Sequence, residues 1–314
     1  MTQYVAGVDV GGTTIKMGLF PVGDKPIALW EVASPRGKGN AALYETIRDA
    51  LYEKLAELKL EKASLKAVGI GLPGPIREDG YVSKLVNLGM GPSYPAKELE
   101  SRMGIPCAAT NDANAAALGE VYYGSAKGTK NAVLLTLGTG VGGGVIVNGK
   151  VLCGTHGVGG EIGHFVVNPD ETETCNCGNK GCLEQYASAT GIVRSAKRLL
   201  AHNTEESSLR KYENLTAKDV LDEAKKGDPI ALDALDVFGR YLGMAIGHLV
   251  LTTDPEKIIL GGGVSKAGQI LIDTVWKYVY AFTHIAEEHG EIVLAELGNE
   301  AGVYGAASLA AELI

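Results

Sequence analysis

The chain carries no excess of positive charge, no long uninterrupted hydrophobic run and only five cysteines among its 314 residues. Each shortage excludes something. Lys and Arg number 29 against 37 Asp and Glu, a formal net charge of −8, so the basic footprint of a nucleic-acid binder is missing. No helix-turn-helix precedes the first strand-like run, Tyr4–Val10. No apolar stretch reaches the ~18 residues a membrane-spanning helix needs, and Met1 leads into that strand without the charged and apolar regions of a secretory signal. An odd cysteine count without such a signal argues for a reducing compartment. A cytoplasmic protein with neither membrane nor nucleic-acid partner is expected. G-x-x-x-x-G-K-[ST] is also absent, which excludes a P-loop.

Glycine is abundant instead, with 43 residues clustered in short loops after apolar runs, where backbone can approach a ligand closely. Tyr4–Phe20 reads as strand, Gly-Gly turn and alternating strand, a hairpin. The N–H groups of Gly11, Gly12 and Thr13 can form an anion-binding concavity, with Asp9 placed to hold a hydrated Mg²⁺; an ordinary tight hairpin has the same signature. The device recurs where strand Lys130–Leu137 is followed by Gly138-Thr139-Gly140 and strand Val145–Val147. A third cluster, Gly261-Gly262-Gly263, ends strand Lys257–Leu260 and opens a helix; it suits either a flat base against the backbone or a close helix–strand crossing. Two segments, from Gly69 and from Gly138, match G-x-G-x-x-G. The helix a dinucleotide site requires is forbidden by Pro73 and Pro75 in the first and replaced by a β-branched strand in the second. The Gly69–Gly74 segment reads better as a substrate-facing loop.

Asn111 and Asp112 follow strand Ile105–Thr110 and open an Ala-rich helix, on the side of an α/β sheet where ligands usually sit; helix capping accounts for them equally well. Lys16 lies on an alternating strand, either as a phosphate contact or as a solvated side chain. From Gly159 to Glu184 the chain holds His164, Cys175, Cys177 and Cys182 at spacings a tetrahedral ion accepts. A Cys₃His set fills all four positions of a closed zinc site and leaves none for a catalytic water, so the metal reads as structural; a disulfide or buried free thiols are the alternative. Glu161 and Glu184 lie in the same loop outside the ligand set. Cys107 and Cys153 stand in apolar contexts typical of small core residues.

Taken together, Asp9-Val-Gly-Gly-Thr13, Leu137-Gly-Thr-Gly140, Ile259-Leu-Gly-Gly-Gly263, Asn111-Asp112, Glu161-Ile-Gly-His164 and Cys175-x-Cys177 through Cys182-Leu-Glu184 resemble the ROK family of sugar kinases and repressors, over essentially the whole chain. The resemblance implies an α/β protein with the actin-like ATPase (ribonuclease H-like) fold, two α/β domains around a central cleft. It places a small domain at residues 1–110, joined by the C-terminal helix 301–314, and a large one at 111–300 carrying the zinc loop 164–182. It implies ATP-dependent phosphorylation of a hexose, glucose to glucose 6-phosphate foremost, with ATP, Mg²⁺ and a structural Zn²⁺, in a homodimer. Asp112 becomes the general base. The sugar ligands are Gly74, Asn111, Asp112, Glu161, His164 and Glu184, and the nucleotide meets Asp9, Gly11, Gly12, Thr13, Gly138, Thr139, Gly140, Gly261, Gly262 and Gly263. An N-acetylhexosamine or fructose kinase shares this chemistry. A sugar-sensing repressor is disfavoured by the acidic charge and the missing DNA-binding region. The chain departs from the family at Met90, where an aromatic residue often follows the segment matching Asn87-Leu-Gly.

Overall fold

The computed structural model describes residues 2–85, 88–286 and 288–314; Asn87 lies outside them. In chain order the elements are β1 (Tyr4–Val10), β2 (Thr14–Pro21), β3 (Ala28–Ala33), α1 (Gly39–Glu57), β4 (Leu65–Leu72), α2 (Pro95–Met103), β5 (Cys107–Asn111) and α3 (Asp112–Tyr123). There follow β6 (Ala132–Leu137), β7 (Val141–Val147), β8 (Lys150–Val151), α4 (Glu184–Ala187), α5 (Ala189–His202), α6 (Ala217–Lys225), α7 (Pro229–Thr253), β9 (Lys257–Gly261), α8 (Gln269–Phe282), β10 (Glu291–Leu294) and α9 (Ala301–Ala311). The chain divides into two compact units, one of Met1–Gly128, Gly144–Gly160 and Glu296–Ile314, the other of Thr129–Gly143 and Glu161–Ala295.

The first unit is built on a sheet ordered β3-β2-β1-β4-β5, antiparallel from β3 to β1 and parallel from β1 to β5. The apolar stripe Leu43, Tyr44, Ile47, Leu51 and Leu55 of α1 buries against Val8, Val10, Met17, Val68 and Ile70. On α9 the fit is backbone to backbone. A Cβ at Gly7 would stand 2.0 Å from the Val303 carbonyl oxygen, and one at Gly69 1.8 Å from that of Ala306. Gly119 of α3 and Gly305 of α9 meet the carbonyls of Ala301 and Ala115 in the same way. Small residues therefore let α3, α9 and the sheet close on one another, which explains why the C-terminal helix joins this unit. The same packing draws α3 into it, so by compactness the division falls after Gly128, not at the 110/111 boundary expected. Buried Glu120 of α3 completes this join, accepting the N–H groups of Ser125, Glu296 and Leu297 at 2.9, 3.2 and 2.8 Å.

In the second unit β10, β9 and β6 run parallel, with β7 beside β6; β7 continues past Gly143 into the first unit, where it pairs with β8. Helix α7 bears on the membrane expectation. By length and composition it could cross a membrane, yet Ile230, Leu235, Phe238, Leu242, Ile246 and Val250 are buried, and its glycines Gly239 and Gly243 accept Thr274 and Tyr278 of α8 at close range. It is a core helix. Strand β7 also begins earlier than expected, at Val141, so Gly142, Gly143 and Gly144 belong to the strand. Gly144 is required there by the Ala113 carbonyl, 2.7 Å from where its Cβ would be.

Candidate active site

Parallel pairing of β1, β4 and β5 sets their C-terminal ends side by side: Asp9 faces Gly71, Gly71 faces Thr110, and Leu72 faces Asn111. A Cβ at Gly71 would lie 3.7 Å from Asp9 Oδ1 and 3.8 Å from the Asp112 Cα, so the two aspartates flank this glycine. Asn111 caps α3, its Oδ1 accepting the N–H groups of Ala113 and Asn114 at 2.8 and 3.2 Å. The cap fixes the amide so that Nδ2 donates to the Gly74 carbonyl at 3.2 Å. Capping and placement towards the 69–74 loop are thus one arrangement. Gly74 itself has φ +121°, which favours glycine.

Burial, reinforced by the neighbouring charge of Asp112 and opposed by Lys16, pushes the Asp9 carboxyl up to about 6. Asp112 is reached by solvent on one side but hemmed in by protein on the others. That crowding raises its carboxyl above the usual range, against the Ala113 N–H and Asn111. Gly302 at the start of α9 leaves room for Asp9, since a Cβ there would be 2.8 Å from Asp9 Cγ.

The hairpin turn requires a correction. Gly11 does not offer a free N–H, because it closes the turn on the Thr14 carbonyl at 2.9 Å. Among the described residues the N–H groups of Gly12 and Thr13 have no such partner. Lys16 is neither loose in solvent nor turned to the hairpin tip, its Nζ donating to the Asn299 carbonyl at 2.9 Å. Sequence reasoning missed Arg36, whose Nε donates to the Gly12 carbonyl and whose Nη2 donates to Thr13 Oγ1 at 2.8 Å.

In the second unit Gly138 likewise spends its N–H, on the Gly140 carbonyl at 3.0 Å. The carbonyls of Gly138 and Thr139 are held by the start of α5, through the Ala189 N–H at 2.8 Å and Thr190 Oγ1 at 2.7 Å. Gly262, at φ +84°, packs on Leu137, whose carbonyl oxygen would be 2.5 Å from an added Cβ. The Gly261–Gly263 turn therefore adjoins the Gly138–Gly140 turn. Glu184 adjoins it too, its Oε2 2.6 Å from where a Gly140 side chain would begin.

The ligating atoms of His164, Cys175, Cys177 and Cys182 lie within 4.8 Å of one another. Cys177 Sγ and Cys182 Sγ are 3.6 Å apart, too far for a disulfide. Two thiolates on one tetrahedral Zn²⁺, with Zn–S bonds of about 2.3 Å, would be about 3.8 Å apart. His164 Nδ1 is buried without a hydrogen-bond partner, an orphan of the kind a metal would satisfy. These residues fit a closed Cys₃His ion site. His164 Nδ1 lies 3.9 Å from Glu184 Oε1, which also accepts from Cys175 Sγ at 2.8 Å, while Nε2 lies 4.0 Å from Glu161 Oε2. The loop thus gathers the ion ligands with Glu161 and Glu184. Gly178 and Gly181 turn it at φ +96° and +73°.

A second group missed by the sequence braces this loop. Glu171 is buried and accepts Tyr186 OH at 2.6 Å, Arg194 Nη2 at 3.0 Å and Arg198 Nη1 at 2.9 Å. The arginines and Tyr186 hold its carboxyl far below the usual range. Both arginines belong to α5, the helix that also grips the Gly138–Thr139 turn, so one rigid element fixes the Cys/His loop and that turn together.

The model of the ROK family matches residues 5–313. The chain belongs to the ROK family. This ROK chain is 43% identical over 310 residues to a glucokinase of Halalkalibacterium halodurans, covering 96% of its own length and 93% of the relative's. It superposes on the ROK family glucokinase of Streptomyces griseus, solved with glucose and AMPPNP, at TM-score 0.74 and 33% identity, covering 98% of this chain and 99% of that one. The ROK hexokinase of Thermus thermophilus gives TM-score 0.80 at 31% identity, covering 98% of both. The two α/β units accordingly belong to the actin-like ATPase fold.

Proposed function

We infer that the protein is an ATP-dependent hexose kinase that converts glucose to glucose 6-phosphate. The reading is supported foremost by full-length similarity to glucokinases combined with two carboxylates, Asp9 and Asp112, flanking Gly71. Asp112 acts as general base. It takes the proton of the sugar hydroxyl as that oxygen bonds to the γ-phosphorus, and the bond from phosphorus to the bridging oxygen of the departing ADP breaks. Its raised carboxyl is a stronger base than an ordinary aspartate. Asn111 and the Gly74 carbonyl face the acceptor side; Glu161, His164 through Nε2, and Glu184 supply the acceptors and donors that recognise a polyol. Gly12 and Thr13 offer N–H groups to phosphate oxygens, as do Thr139 and Gly140, while Gly261, Gly262 and Gly263 receive the base. Phosphoryl transfer gains chiefly from such positioning. Mg²⁺ held at Asp9 would offset phosphate charge, and Zn²⁺ held by His164, Cys175, Cys177 and Cys182 would brace the loop carrying Glu161 and Glu184. A cytoplasmic homodimer extends this reading, the dimer supported by the family and the compartment by an odd count of five cysteines.

ADP release measured across a panel of hexoses tests the proposal, with glucose expected to give the highest kcat/KM. Asp112→Ala should lower kcat by about 10²–10⁴-fold with an unchanged melting temperature. Absence of ADP release with every hexose, or near-normal kcat in the variant, would refute it.

A further inference from the structure

Arg36 stands where two loops of the first unit meet. Backbone places it there. The Ser34 N–H donates to the Thr13 carbonyl at 2.9 Å and the Arg36 N–H donates to the Ser34 carbonyl at 2.9 Å, so the segment after β3 folds back over the hairpin tip. Gly37, at φ +70°, then packs against Gly89. The result is an open cavity of about 490 Å³, walled by Gly12, Thr13 and Arg36 on one side and by Pro73, Leu88 and Gly89 on the other. Pro73 precedes Gly74, whose carbonyl is held by Asn111. The cavity therefore runs from the turn assigned above to phosphate towards the loop assigned to the sugar.

Among the described residues Arg36 is the charged side chain of the cavity lining, and the Lys16 ammonium is committed to the Asn299 carbonyl. Arg36 spends two N–H donors on Gly12 and Thr13, while a guanidinium has about five. Among the described residues no carboxylate lies within ion-pair distance of it. A fixed cation with spare planar donors, beside backbone N–H groups and without an acidic partner, suits a tetrahedral dianion.

We propose that Arg36 holds the transferred phosphoryl group on both sides of the reaction, gripping the γ-phosphate oxygens of the nucleotide and remaining on the phosphate of the sugar 6-phosphate once it has formed. This rests on the kinase reading. It differs from a brace of the hairpin turn, which the two hydrogen bonds alone would also suit.

Arg36→Ala and Arg36→Lys separate these possibilities. Calorimetric titration with Mg·AMPPNP measures nucleotide affinity, glucose 6-phosphate inhibition reports the product side, and tryptophan fluorescence on adding glucose reports the sugar. Arg36→Ala should lower kcat/KM for ATP by about 10²-fold, weaken Mg·AMPPNP binding and relieve product inhibition, with glucose affinity and melting temperature as in the wild type. Arg36→Lys should recover part of each loss, because it keeps the charge without the fork. The proposal is overturned if Arg36→Ala binds Mg·AMPPNP and glucose 6-phosphate like the wild type. It is equally overturned if melting temperature, sugar and nucleotide binding fall together and Lys restores none of them. Should the wild type transfer phosphate to no hexose, the kinase reading fails, and the two binding titrations still decide the role of Arg36.

Discussion

Replacing Asp9 by Asn should stabilise the free protein while abolishing turnover. The carboxyl is raised from 3.8 to about 6, first by burial and then by the Asp112 charge. An acid whose folded value is raised resists ionising in the folded state, so its contribution is favourable below the unfolded value of about 4 and is lost as pH rises through about 6. Near neutral pH the ionised group therefore works against folding. A shift of about two units corresponds to ~3 kcal/mol, and because Asp9 is only partly shielded from water we expect ~1–2 kcal/mol, or roughly 3 °C in melting temperature. Asn is nearly isosteric and fits beside Gly302, so little packing is lost. Denaturation of wild type and Asp9→Asn, without Mg²⁺ or nucleotide, should show the variant ahead at about pH 7.5 and by about half as much at about pH 5. An advantage that is absent, or that does not change with pH, would refute the account, since then desolvation of the ionised carboxylate is not what Asp9 costs. Adding Mg·AMPPNP should reverse the order, because the proposed metal site needs the charge the fold resists.

The Glu171 cluster is expected to carry the opposite sign. Its carboxyl is depressed by Arg198 and Tyr186, so its stabilisation is present above the unfolded value of about 4.3 and is lost as pH falls below that; Glu171→Gln should cost about 3 kcal/mol at pH 7 in urea denaturation, and a difference below about 0.5 kcal/mol would contradict a buried ionic brace. Cys177→Ser, which changes an exposed member of the Cys/His cluster, should reduce bound zinc measured by elemental analysis and raise KM for glucose more than KM for ATP. Full zinc content with unchanged sugar affinity would count against the proposed ion site.

Much of the fold was legible because it is local. The stripe Leu43, Ile47, Leu51 and Leu55 announced α1, Pro95 at the first turn announced α2, and Gly-rich tips announced the strand ends. The start of β7 is not legible in the sequence because Gly142, Gly143 and Gly144 look like a turn. Glycine is present there for another reason, the approach of the α3 backbone, and a sequence offers no mark of which neighbour removes a side chain. The membership of α3 in the first unit was hidden for the same cause, since Gly119 and Gly305 acquire meaning only when two helices 186 residues apart in sequence are seen touching.

The candidate site divides along the same line between what is near and what is distant in the chain. Asn111 beside Asp112, Glu161 beside His164 and the cysteine spacings are short-range patterns, and the structure brings each set together within its own unit. The fate of individual donors is different. Gly11 and Gly138 are expected from the sequence to face a ligand, yet in both hairpins the first glycine closes the turn with its own N–H, on Thr14 and on Gly140. The cations were the least visible. Arg194 and Arg198 stand four residues apart on α5, a spacing that marks one helix face but not its partner, Glu171, 23 and 27 residues back. Arg36 lies in a loop with no periodicity at all. Charges that order a site from a distance are fixed by the tertiary fold, whereas groups proposed to meet a ligand share a strand end or a single turn, and that asymmetry explains why Asp9, Asp112, Glu161 and Glu184 stand in local patterns of the sequence while Glu171, Arg36, Arg194 and Arg198 do not.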